Sequence, residues 1–198
     1  MRYIAADSAQ YPSALLTHLG ADAPSQLTLW GKFAAWPPQT LALFCSTKAP
    51  ASILLTVHDL AQQWRHQGPT ILSGFQSPVE EEALTVMLRG PRPVMLWLAR
   101  GMVQRPLAVW RTALDEGYLL LVSPFANSLR RATGETALLR NRIIAATADA
   151  VLFAHAAPHS KTEALAREVL GWGKPVYTLA HVKNENLLAL GAQVMAIP

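Results

Sequence analysis

Two arginines flank an asparagine at Arg140-Asn141-Arg142, between the apolar runs Ala137-Leu138-Leu139 and Ile143-Ile144-Ala145-Ala146. Guanidinium groups meet a phosphate oxyanion with paired N–H donors. A second candidate is Ser160-Lys161-Thr162-Glu163, a capping-box pattern. Such a helix start offers free backbone N–H groups to an anion. Small, hydroxylated and basic residues also follow four apolar runs, at Cys45-Ser46-Thr47-Lys48, Ser73-Gly74-Phe75-Gln76-Ser77, Arg100-Gly101 and Ser123-Pro124-Phe125. The predicted phosphate or nucleotide site is therefore Ser46, Thr47, Ser73, Gly74, Phe75, Arg100, Gly101, Ser123, Arg140, Asn141, Arg142, Ser160, Lys161 and Thr162.

Each piece also has a plainer reading. Ser77-Pro78-Val79-Glu80 and Ser160–Glu163 are helix starts in their own right. Arg140 and Arg142 fit a solvated stripe or an arginine paired with Asp149, and residue chemistry alone favours that structural reading. Glu80-Glu81-Glu82 reads as a first-turn acidic run that complements the helix dipole. Cys45 has no base beside it and reads as packing. His155 and His159 are separated by Pro158 and lack a completing ligand, so no metal is expected. Neither G-x-G-x-x-G nor a Walker A string occurs. No cofactor is expected beyond a bound nucleotide or phosphate. Trp64, Trp97, Trp110 and Trp172 fall on apolar faces and read as core, whereas Phe75 and Phe125 sit in loops where a base could stack.

These residues need a scaffold that gathers them at one edge. Apolar runs at 41–44, 70–72, 94–98, 118–122, 150–153, 176–179 and 194–197 predict buried strands. Helical spacing covers 52–66, 78–88, 107–116, 135–147 and 162–170. The alternation predicts an α/β fold: a Rossmann-like, mostly parallel sheet with helices on both faces. Ligands in such sheets bind beyond the C-terminal strand ends, where the polar clusters fall. Residues 1–36, punctuated by Tyr11-Pro12, Ala23-Pro24 and Trp36-Pro37-Pro38, read as a short helical or irregular lead-in packed on a core at 37–198.

Composition sets the bounds. The chain has 198 residues, 51% hydrophobic and 15% charged, enough for a large core. A net charge of +4 permits a nucleic-acid partner without demanding one. The single cysteine allows no internal disulfide, which fits a reducing compartment. The first residues lack a signal-peptide run, and no apolar run approaches the roughly 20 residues that span a bilayer. A cytoplasmic protein with no membrane partner is expected.

In motif order the chain resembles the DNA-processing protein A (Smf) family over nearly its whole length. The resemblance rests on Tyr11-Pro12, Ala23-Pro24, Leu29-Trp30-Gly31, Ser73-Gly74-Phe75 with 80–84, Arg140-Asn141-Arg142-Ile143-Ile144-Ala145, Ser160-Lys161-Thr162, and Asn186-Leu187-Leu188 with Gly191-Ala192. Three stretches depart from the family pattern. Cys45-Ser46-Thr47 replaces Gly-Ser-Arg, Ser123-Pro124-Phe125 replaces a Ser-Glu turn, and Pro158-His159 occupies a Gly-rich loop. The chain reads as a divergent branch holding the Rossmann-like core, without the sterile-alpha-motif-like or winged-helix domains of some members.

The resemblance implies a non-catalytic protein that binds single-stranded DNA, acts in DNA uptake, forms a homodimer and partners a RecA-type recombinase. Arg100, Arg130, Arg131, Arg140 and Arg142 would neutralise phosphates. The alternatives are a small-nucleotide sensor and an enzyme like the related Lonely Guy phosphoribohydrolases. Glu163 would be the carboxylate of that enzyme, but the Pro-Gly-Gly loop that accompanies it is missing. A binding protein is favoured over an enzyme.

Overall fold

The structure, a computed structural model, describes residues 1–196. Nine strands form one sheet: β1 (Arg2–Ala5), β2 (Gln26–Trp30), β3 (Thr40–Cys45), β4 (Thr70–Ser73), β5 (Val94–Trp97), β6 (Leu119–Ser123), β7 (Ala150–His155), β8 (Val176–Thr178) and β9 (Gln193–Val194). Among the described residues seven α-helices accompany them: α1 (Ser13–Leu19), α2 (Ala51–Trp64), α3 (Pro78–Met87), α4 (Arg111–Glu116), α5 (Gly134–Thr147), α6 (Lys161–Gly171) and α7 (Glu185–Leu190). The sheet order is β1-β2-β6-β5-β4-β3-β7-β8-β9. The seven strands from β6 to β9 along that order pair in parallel.

The expected parallel core is present, and its strands are buried on both faces. In β3, Leu41, Leu43 and Cys45 face a core built with α2, α3 and α4. Ala42 and Phe44 face the other core, built with α1, α5, α6 and α7. This two-sided burial is why the strands are continuously apolar. Phe44 and Phe153 meet across the β3–β7 pair with ring centroids 5.5 Å apart. Full burial of each such side chain is worth about 1.5–3 kcal/mol. Trp64 and Trp97 are buried as expected, whereas Trp110 and Trp172 are only partly so.

The first 36 residues hold the expected helix, α1, together with two strands the sequence did not announce. β1 and β2 are antiparallel to each other, and β2 is antiparallel to β6, so they extend the sheet beyond its parallel part. β9 is shorter than the predicted strand at 194–197, whose last residue lies outside the described residues.

The chain runs outward from β3 through β4 and β5 to β6, then returns along α5 to pair β7 on the other side of β3. The strand order therefore reverses between β3 and β7, and a crevice opens at their C-terminal ends. α5 is fixed at both ends. Thr133 and Thr136 form a reciprocal capping box at its start. At its end Lys174 Nζ donates to the carbonyls of Ala145, Ala146 and Ala148, satisfying acceptors a helix terminus leaves free.

Candidate nucleic-acid interface

Glu80 organises the interior of the sheet edge. It is third in α3, after the N-cap Ser77, and its backbone N–H is capped by Ser77 Oγ at 3.3 Å. Its carboxylate reaches past the cap and across to the ends of β3 and β4. It accepts from Cys45 N at 2.8 Å, Gln76 N at 2.9 Å and Ser73 Oγ at 3.3 Å. Glu80 and Glu81 lie in the first turn of α3, as expected, and Glu80 is in addition a buried acceptor, which the sequence did not show. Burial raises its pKa, while the N–H donors and the nearby Arg140 charge oppose the rise. Burial, with Glu80 adding to it, pushes the Cys45 thiol up to about 12. Cys45 is therefore a protonated packing residue, as expected.

Arg140 is 2% exposed. Its Nε donates to Asn141 Oδ1 and its Nη1 to the Trp97 carbonyl, both at 2.7 Å. Burial pulls its pKa down to about 10, and the charge of Glu80 opposes that shift. The guanidinium lies against Gly74, where a Cβ would fall on it. Only glycine leaves that seat open. Arg142 does not pair with Asp149, contrary to one expectation. Its Nη1 donates to Asp22 Oδ2 at 2.9 Å and its Nε to Glu168 Oε1 at 2.6 Å. Asp149 instead accepts from the backbone N–H and hydroxyl of Thr40.

Phe75 is not free to stack on a base, which corrects the other expectation. It has φ +49° and is 3% exposed, within the core beside α3. Its N–H donates to Ser73 Oγ at 3.0 Å, which holds the turn in a region non-glycine residues seldom occupy. Phe125 is partly exposed.

The remaining predicted residues separate into distinct settings. Asn141, Arg142, Lys161 and Thr162 line a 290 Å³ crevice at the β3 end, with Cys45 and Glu80 behind them. Ser160 caps α6 by accepting from Glu163 N at 3.2 Å. Glu163 accepts from His159 N at 2.9 Å and Asn186 Nδ2 at 2.6 Å, and these bonds hold its pKa down. Ser46 Oγ accepts from Ala157 N at 3.1 Å, bracing the β3 and β7 loops, and Thr47 is exposed beside it. His155 is held by Asn184 Oδ1 at 2.8 Å.

On the other side of Arg140, Gly74, Phe75, Arg100 and Arg140 line a 500 Å³ cavity at the ends of β4 and β5, together with Gln76 and Trp110. Beyond it, the loops at 98–110 and 124–133 are clamped together. Gly101 N donates to Leu129 O at 2.8 Å, Met102 N to Asn127 Oδ1 at 3.2 Å and Ser123 Oγ to Arg100 O at 2.7 Å. A Cβ on Gly101 would meet Ala126 O at 2.5 Å, so glycine permits this close approach. The two loops carry four arginines, Arg100, Arg105, Arg130 and Arg131, all exposed, and no acidic residue. Arg100, Arg105 and Arg130 line one 240 Å³ cleft. Arg105 and the pairing of these loops were not singled out in the sequence. The available signal was the absence of acids from both loops.

Residues 2–196 match the family described as DNA recombination-mediator protein A. The chain belongs to the DNA recombination-mediator protein A family. No curated protein sequence matches it. Among solved structures, DNA processing protein A from Streptococcus pneumoniae superposes with a TM-score of 0.78 at 18% identity, covering 98% of this chain and 70% of that one. DNA processing protein A from Helicobacter pylori, a protein studied for its single-stranded DNA binding mode, gives 0.77 at 20% identity, covering 98% and 91%. The molybdenum cofactor carrier protein from Chlamydomonas reinhardtii is more distant, at a TM-score of 0.54 and 17% identity over 80% of this chain and 89% of that one. At these identities the likeness is one of fold. Among the described residues, no helix is long and apolar enough to cross a membrane.

Proposed function

We propose that this member of the DNA recombination-mediator protein A family binds single-stranded DNA along the C-terminal edge of its sheet, without catalysis. One observation carries the reading: two clamped, acid-free loops present Arg100, Arg105 and Arg130 around a single cleft, with Arg131 adjacent in sequence. Exposed arginines on a braced backbone suit the phosphates of a flexible strand, because they bind charge without reading sequence. The solved Helicobacter relative, which binds single-stranded DNA, supports the same ligand class. Lys161 and the free N–H groups at the start of α6 extend the path, while Arg140, Arg142 and Glu80 hold its floor in shape.

The reading includes the partners that the family resemblance implies, a second copy of the chain and a RecA-type recombinase, in the cytoplasm. The test is fluorescence anisotropy of an oligothymidylate across a salt series. Affinity is expected to fall with salt by about 0.7 log–log units per phosphate neutralised. Affinity that is absent, or indifferent to salt, would overturn the proposal.

A further inference from the structure

The 500 Å³ cavity at the ends of β4 and β5 holds a donor that the proposed strand path does not use. Arg140 forms part of its wall, and two of its three guanidinium nitrogens are engaged, Nε by Asn141 and Nη1 by Trp97. Nη2 makes no hydrogen bond among the described residues and is not among the fully buried unpaired atoms, so it keeps contact with solvent at the cavity wall. An acceptor that meets this open edge of a largely buried guanidinium gains a charge-assisted hydrogen bond. Gly74 leaves room for the guanidinium, and the bonds to Asn141 and the Trp97 carbonyl hold it in place before any ligand arrives.

The other walls indicate the acceptor. Arg100, exposed, supplies a second positive charge, and the partly buried Trp110 supplies an aromatic ring. Gln76 adds an amide whose Nε2 donates to the Gly74 carbonyl at 3.1 Å. Glu81 is the one exposed acid on the lining and disfavours an anion at its own side, which leaves the Arg140 side for the charge. The volume lies in the range of small-ligand sites and exceeds what a bare phosphate needs. An internal phosphodiester carries chain on both sides and must lie in an open groove. A terminal phosphomonoester reaches a buried guanidinium from one side and brings more negative charge.

We propose that this cavity takes the terminal phosphomonoester of a nucleotide, with the phosphate on Arg140 and Arg100 and the base against Trp110. For a polynucleotide the inference rests on the strand-binding reading, and the cavity then holds the strand's phosphorylated end. A free mononucleotide offers the same chemistry.

The experiment compares internally labelled oligothymidylates that carry a 5′-phosphate, a 3′-phosphate or neither. A thermal-shift titration with thymidine 5′-monophosphate runs beside it. One phosphorylated end is expected to bind about tenfold more tightly than the hydroxyl-ended strand, a factor worth about 1.4 kcal/mol. Arg140→Lys keeps the charge but removes the fork and is expected to abolish the preference. Gln76→Glu, at an exposed position, gives up one donor to the Gly74 carbonyl and is expected to abolish the preference by repulsion.

A preference for either phosphorylated end, or a mononucleotide-induced rise in melting temperature that Gln76→Glu removes, supports the proposal. Equal affinity for all three strands with flat melting curves overturns it. Salt-dependent binding with no end preference and no thermal shift leaves the strand reading standing and removes this one. A thermal shift without salt-dependent strand binding does the reverse.

Discussion

The buried centre of α5 and the loops at 98–110 and 124–133 both carry arginines, yet the physics of the two regions differs. Arg140 is enclosed and engaged by Asn141 and the Trp97 carbonyl, and Arg142 is tied to Asp22 and Glu168. The four loop arginines are exposed, and no acid lies in their segments. The first pair is conspicuous in sequence because charge inside an apolar helix is unusual; burial commits Arg140 to the architecture of the site, and two ion pairs commit Arg142. The loop arginines look ordinary in sequence and hold the charge that a polymer can reach.

Several substitutions probe that division. Glu80→Ala is expected to be the most damaging. It strips the acceptor from the buried N–H of Cys45 and the part-buried N–H of Gln76 and leaves the Arg140 charge unopposed. The expected loss is about 3 kcal/mol or more, read from denaturant unfolding. A loss near zero would show that the interior wall is not structural. Gly74→Ala comes next, because its Cβ would fall on the Arg140 guanidinium. Overpacking there is expected to cost about 1–3 kcal/mol, visible as a lower melting temperature.

Arg142→Ala removes both ties, to Asp22 and to Glu168. These groups are partly solvated, so the expected cost is about 1 kcal/mol and shrinks in high salt. Weaker DNA binding at unchanged stability would instead move Arg142 into the group that touches the ligand.

The smallest effect concerns pH. Asn186 and the His159 N–H hold the Glu163 pKa below its ordinary value. A carboxylate with a depressed pKa stabilises the fold above the unfolded value, about 4.3, and loses that contribution as pH falls through the folded value. The melting-temperature gap between the wild type and Glu163→Gln should therefore be widest near neutrality. It should narrow as pH drops below about 4, and a gap that widens in acid would reverse the assignment.

The parallel core was legible because strands buried on both faces are apolar throughout, and β3 to β8 all coincide with such runs. β1 and β2 were not legible. In β1 only Ile4 is buried, and in β2 Thr28 interrupts the apolar residues, so no continuous apolar run marks either strand. The helix starts at Ser77 and Ser160 were legible from their caps. The reach of the following glutamates was not, since Glu80 and Glu163 bond one residue beyond the cap, to Gln76 N and His159 N. The positive φ of Phe75 was hidden as well, because it depends on how the Ser73 hydroxyl and the core hold that turn. Which arginine is reachable depends on burial, and burial is set by elements far apart in sequence.

The central claim is that the exposed loop arginines, not the arginines of α5, hold the strand. The direct measurement is the salt dependence of oligothymidylate affinity for the wild type and for a variant with Arg100, Arg105, Arg130 and Arg131 all changed to Gln. The variant should melt within about 0.5 kcal/mol of the wild type, since these residues are exposed. Its log–log salt slope should be shallower by about 0.7 for each phosphate that is no longer neutralised. An unchanged slope in a folded variant would contradict the account and return the strand to the α5 crevice.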